Sequence, residues 1–201
     1  YAILSFYLLA AAGLVYGVSQ IEANTYTLGY FPKGHPVLEN HQEILDHWGR
    51  YFPIDLMLYP KDSGQVNSPE LLNKTAQFAQ QVTQIEGIDA SGGFHELYTQ
   101  PLPVLYGPMW RNRLNPRLID RFTQRALQQD SSLVRRWLPP DYRKGRLILS
   151  GEIVSTNELN EMLTQIKSLS REIYGEAAEL ANASYIPLYA SIVGYVVTSQ
   201  Q

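Results

Sequence analysis

The most regular pattern in the chain is helical. From Asn157 to Tyr174, Leu159, Met162, Leu163, Ile166, Leu169 and Ile173 recur at three- and four-residue steps, which gathers them on one face of an α-helix. Ser155 and Glu158 precede it at capping-box spacing and Gly175 supplies a stop. Ser68 and Pro69 open a second helix, expected to run to about Gln84, with Leu71, Leu72, Ala76, Ala79 and Val82 on its apolar face. Asn115 and Pro116 open a third through about Gln128, carrying Leu118, Ile119, Phe122 and Leu127. A shorter helix is predicted over Glu39 to Gly49, where Ile44, Leu45 and Trp48 share a face.

Between these lie compact apolar runs with strand character. Pro53 to Tyr59 reads PIDLMLY and ends at Pro60, and Arg146 to Val154 reads RLILSGEIV. Ile85 to Ala90 and Ala177 to Ala183 follow the second and the longest helix as returning strands. The order is β-α-β twice. The expected fold class is therefore α+β, a ferredoxin-like sheet of split β-α-β units with helices on one face. Residues 21 to 37 mix turn formers with aromatics and are expected to form an extended connector. Residues 91 to 115, broken by Gly92, Gly93, Pro101, Pro103, Gly107 and Pro108, are expected to be loop.

The two ends are different in character. Tyr1 to Val18 contains no charge, and the first ionisable side chain after it is Glu22. Three readings stand: most of a transmembrane helix cut at its start, an apolar core helix, or a processed signal segment. The absent basic leader disfavours the last, and the lack of a polar stripe disfavours the second. Ile186 to Val197 is apolar again but too short to span, so it suits either an interfacial helix or a final core helix.

Composition narrows the chemistry. The charged fraction is 17%, against about 25% in an ordinary soluble domain. Net charge is −3, which argues against a nucleic-acid partner. The absence of cysteine excludes disulfides and thiolate metal sites. His41 and His47 stand six residues apart, unlike a helical metal-ligand pair, and no HExxH occurs. No GxSxG elbow accompanies the Ser91, Gly92, Gly93 and His95 run, and no GxxxxGK[ST] loop is present. No catalytic, cofactor-binding or metal residues are assigned, and no cofactor is implied. Asp55 is the lone acid in a core strand, expected at an edge or in a satisfied pair. Arg117, Arg121 and Arg125 form a basic stripe, expected to be a solvated face pairing with acids or attracted to anionic headgroups.

The stretch NTYTLGYFPKGHPVLENHQEILDHWGRYFPIDLMLYP, from Asn24 to Pro60, resembles the passage from a first membrane span into the periplasmic domain of resistance-nodulation-division (RND) exporters, in particular the MMPL and hydrophobe-amphiphile efflux branch. YIPLYASIVGYVVTSQ, from Tyr185 to Gln200, resembles the re-entry into the next span, with Ser184 where a Gly is common. The resemblance implies three parts: residues 1–20 as the end of a transmembrane helix, 21–185 as a periplasmic porter-like α/β domain, and 186–201 as a helix leading into the next span. It implies a non-enzymatic, proton-driven exporter in a bacterial inner membrane, with this domain facing the periplasm and forming part of the path for lipids or drugs. Its partners would be membrane lipid, a hydrophobic or amphiphilic small molecule and the rest of its own chain with a second periplasmic loop, with room for a homo-oligomer. Phe94, Tyr98, Tyr106 and Trp110 are the candidate lining of that path. The alternative on the same topology is an extracytoplasmic ligand-binding sensor domain between two transmembrane helices.

Overall fold

A computed structural model of the chain describes residues 2–19, 24, 26–62 and 64–184. The expected helix over 186–201 lies outside the described residues. The fold is α+β and is built on one four-stranded antiparallel sheet. Its strands are β1 (Phe52–Pro60), β2 (Ile88–Gly93), β3 (Gly145–Gly151) and β4 (Ala178–Asn182), in the spatial order β2-β3-β1-β4.

Strand alternation explains which face is core. In β1, Ile54, Leu56 and Leu58 are buried while Asp55 and Met57 are half-buried on the other face. In β3, Leu147 and Leu149 join the buried side. Two long helices, α3 (Pro69–Val82) and α8 (Thr156–Tyr174), pack against each other over this layer. Leu71, Leu72, Phe78 and Val82 of α3 meet Leu159, Met162, Ile166 and Ile173 of α8 in a single apolar cluster with the strands. Both helix starts follow the expected chemistry: Ser68 Oγ accepts from the Leu71 N–H, and Ser155 and Glu158 close a full capping box.

Between β2 and β3 the chain makes a helical insertion: α4 (Glu96–Thr99), α5 (Pro101–Tyr106), a 3₁₀ turn (Trp110–Arg113), α6 (Pro116–Gln129) and α7 (Ser131–Trp137). The expected loop over 91–115 is thus largely helical, because each proline sits where its missing N–H is harmless, as Pro101 does in the first turn of α5. β2 begins three residues later than expected and continues through Gly93. The chain turns at Gly87, which takes φ +87. Gly92 and Gly93 both pair with β3, and at Gly93 the approach is close: a Cβ there would stand 2.7 Å from Leu147 Cδ2.

Ahead of the sheet, α1 (Ala2–Ser19) is charge-free, and Ile3, Phe6, Tyr7, Leu9, Leu14 and Tyr16 are all exposed. Its 18 residues rise about 27 Å at 1.5 Å each, short of the roughly 30 Å hydrocarbon core. Among the described residues no helix is long and apolar enough to cross a membrane. The connector expected to be extended contains a 3₁₀ turn over Thr27–Tyr30 whose Leu28 is buried. Next, α2 (Pro36–Trp48) starts earlier than expected, because His35 caps it by accepting from the Val37 N–H at 3.2 Å and Pro36 takes the first position.

Candidate functional site

The four aromatic residues singled out in the sequence fall in the insertion. Phe94, Tyr98 and Trp110 are buried in the main apolar cluster, and Tyr106 is half-buried against it. Phe94 lies against Gly145, where a Cβ would come within 2.5 Å of the ring. The Tyr98 hydroxyl is bonded to Thr123 Oγ1 at 2.7 Å, and Thr123 in turn donates to the Ile119 carbonyl at 2.9 Å. Burial pushes the Tyr98 phenol up, against hydrogen bonds from Thr123 and Asn67 that favour the charged form. None of the four lines the clefts described here.

Asn67 carries the link to the surface. It is itself buried, it lies beside the Tyr98 hydroxyl, and it forms part of a cleft of about 390 Å³ with Gln65, Ser68, Pro69, Pro116, Arg117, Ile119, Asp120 and Tyr142. The first turns of α3 and α6 meet here. Their capping side chains are already engaged, Ser68 with Leu71 and Asn115 with the Leu118 N–H at 3.0 Å. The cleft is held shut behind by the Val66 N–H, which donates to the Tyr142 carbonyl at 2.9 Å; Tyr142 takes a left-handed φ of +54. Arg117 and Asp120, two helix starts and apolar walls suit an amphiphile with a polar head. The cleft offers hydrogen bonds and packing.

A second cleft, of about 320 Å³, has the opposite character, with Glu86, Glu152, Glu158 and Glu161 around Val154 and Met162. Arg50 stands at its rim, donating from Nε to Glu152 at 2.8 Å and pairing through the guanidinium with Asp89. Those bonds raise the Arg50 pKa, and the Arg50 backbone N–H holds the Asp89 carboxyl below its usual range. Both groups are used in joining the segment ahead of β1 to β2 and to the exit of β3.

The remaining sequence candidates resolve individually. Asp55 is satisfied, taking Arg146 Nε and a second guanidinium nitrogen at 2.8 Å each, while Arg146 also covers the Trp137 ring at 5.8 Å. His41 bonds the Tyr51 hydroxyl and His47 the Glu43 carbonyl, both at 2.9 Å. Among the described residues no group of three or more His or acidic side chains is placed to hold a metal. Arg117, Arg121 and Arg125 are exposed and make no ion pair among the described residues, so the expected pairing with acids is not how that face is arranged. His95, which sequence reasoning met only as part of a glycine run, is buried, and its Nδ1 has no partner. Burial lowers its pKa to about 4. No family model matches the chain, and no curated protein matches its sequence.

Proposed function

We propose that this chain is the extracytoplasmic, porter-type domain of an RND-type membrane exporter, handling hydrophobic or amphiphilic molecules. The observation that carries the reading is where the chain enters and leaves the sheet. β1 begins at Phe52 opposite Gly151, while β4 ends at Asn182 opposite Leu56, with the Ala183 N–H donating to the Asp55 carbonyl. Entry and exit therefore share one end of the sheet. The charge-free α1 precedes that end in sequence, and the apolar run Ile186 to Val197 follows it. A domain suspended as a loop from one membrane face has this arrangement, and α1 then belongs to a span. The antiparallel order β2-β3-β1-β4 supports the ferredoxin-like description. The cleft at the ends of α3 and α6 is the best place for substrate contact.

The test uses the complete transporter in intact cells. With no cysteine in this chain, a Trp48→Cys substitution gives it a single label site on an exposed residue. Labelling by a membrane-impermeant maleimide is expected without cell lysis; labelling only after lysis overturns the topology. Gln65→Trp, which fills the cleft mouth, is expected to raise retention of a fluorescent amphiphile several-fold. Unchanged retention removes the cleft from the path.

A further inference from the structure

A net charge of −3 conceals a polarised chain. Residues 111–144 carry nine of the 16 basic side chains and only three of the 19 acidic ones, Asp120, Asp130 and Asp141, a local charge of +6 against −9 elsewhere. This segment belongs to the insertion, which leaves β2 at Gly93 and rejoins at Gly145. Gly93 faces Leu147 and Gly145 faces Leu58, so the insertion caps the end of the sheet remote from Phe52 and Asn182.

At the head of that basic segment the surface is also apolar. Val104 is 85% exposed, Leu105 61% and Met109 63%. Gly107, at φ +68 with open space around it, turns the chain between them. Buried Leu102 and Trp110 fix the turn from below, so the three aliphatic side chains are held outward by a packed base. Arginines frame them: the Arg113 guanidinium lies 5.9 Å from the Tyr106 ring centre and that of Arg111 5.4 Å from the Trp110 ring centre.

We propose that this tip, from Val104 to Arg113, docks onto an anionic lipid bilayer. Exposed aliphatic side chains on a convex turn, flanked by arginine and backed by a strongly basic segment, match the two attractions a charged membrane surface offers, shallow apolar insertion and headgroup pairing. A surface that recognises a soluble polyanion needs the charge and not the aliphatic knob. A protein partner needs no lipid charge. Because the tip is remote from the end of the sheet that the chain enters, the bilayer it meets is a different one from any that α1 enters, and the inference stands apart from the export reading.

The test is vesicle flotation of the whole chain with phosphatidylcholine alone and with added phosphatidylglycerol. α1 has no charge, so whatever binding it causes is common to both, and the phosphatidylglycerol-dependent increment reports the tip. That increment is expected to be on the order of tenfold at low salt and to shrink as salt rises. Val104→Asp with Leu105→Asp, and separately Arg111→Glu with Arg113→Glu, are expected to abolish it while circular dichroism is unchanged. The proposal is overturned if wild-type binding ignores phosphatidylglycerol. It is equally overturned if the aspartate pair leaves the increment intact, which would make the surface a generic polyanion site.

Discussion

Arg50 and Asp89 are joined twice: the Arg50 backbone N–H donates to Asp89 Oδ2 at 2.8 Å, and its guanidinium pairs with Oδ1 of the same carboxylate. The contact spans 39 residues and ties the segment leading into β1 to the start of β2. Gly49 permits it, since φ is +76 and a Cβ there would sit 3.1 Å from Asp89 Oδ2. Asp89→Ala is expected to lower stability by about 1 kcal/mol, because the groups are a third exposed and solvent screens them. The Asp89 carboxyl has a lowered folded pKa, so its stabilisation is present above the ordinary carboxylate pKa and is lost as pH falls through the folded value. Thermal melts from pH 7 downward check this: the difference between wild type and variant should be largest at pH 7 and shrink as pH falls below the ordinary carboxylate range.

His95 supplies a second pH dependence in another window. Its folded pKa, about 4, lies below the unfolded value of about 6.5, so the fold favours the neutral ring. Stability is full above about pH 6.5 and falls as pH drops toward 4, by up to about 3 kcal/mol. Urea unfolding of wild type across that range should show the decline, and His95→Leu should flatten it at little cost, since Nδ1 has no partner to lose. An unchanged slope in the variant would assign the dependence elsewhere.

Gly145→Ala is expected to be among the most damaging small changes in the molecule. The new Cβ would stand 2.5 Å from two Phe94 ring carbons, and that ring is fully enclosed. A loss of roughly 2–3 kcal/mol is expected from overpacking. The Gly145→Ala, Phe94→Leu double variant should recover part of it in a denaturant midpoint, whereas two strictly additive losses would contradict the contact.

Tyr98→Phe removes one buried hydroxyl, which is bonded to Thr123 Oγ1 and lies beside buried Asn67. The partners left behind are buried, so a cost of about 1–2 kcal/mol is expected. If Asn67 also positions the cleft floor, amphiphile retention in cells should change with it, and a stability change with no effect on retention would make these groups purely structural.

Much of the frame was legible from periodicity. The apolar steps of Leu159, Met162, Ile166 and Ile173 and the caps at Ser68, Asn115 and Ser155 each became a helix with the expected start. Apart from α6, the insertion was not legible for two reasons. Its other helices are short and proline-punctuated or largely exposed, so no apolar period develops, and α7 buries only Val134 along its seven residues before Leu138 follows. Gly92 and Gly93 read as loop because their role in β2 is set by pairing with Ile148 and Leu147, neighbours more than fifty residues away. The aromatic residues of that region were visible, but whether they face inward depends on Gly145 and Thr123, which no local pattern connects to them. The basic segment was hidden by summing charge over the whole chain.

The strand order also governs how the chain must be made. β1 is synthesised first yet acquires its neighbours last: β3 arrives only after the whole insertion, and β4 only after α8. Until Ala178 to Asn182 emerge, the backbone N–H and C=O groups on one side of a central strand remain unpaired, next to Leu56 and Leu58. Such an edge invites pairing with another nascent chain, and closing it requires contacts distant in sequence, which form slowly. The vulnerable interval is thus the translation of residues 61 to 177, and a ribosome stalled within it would hold a chain prone to aggregation.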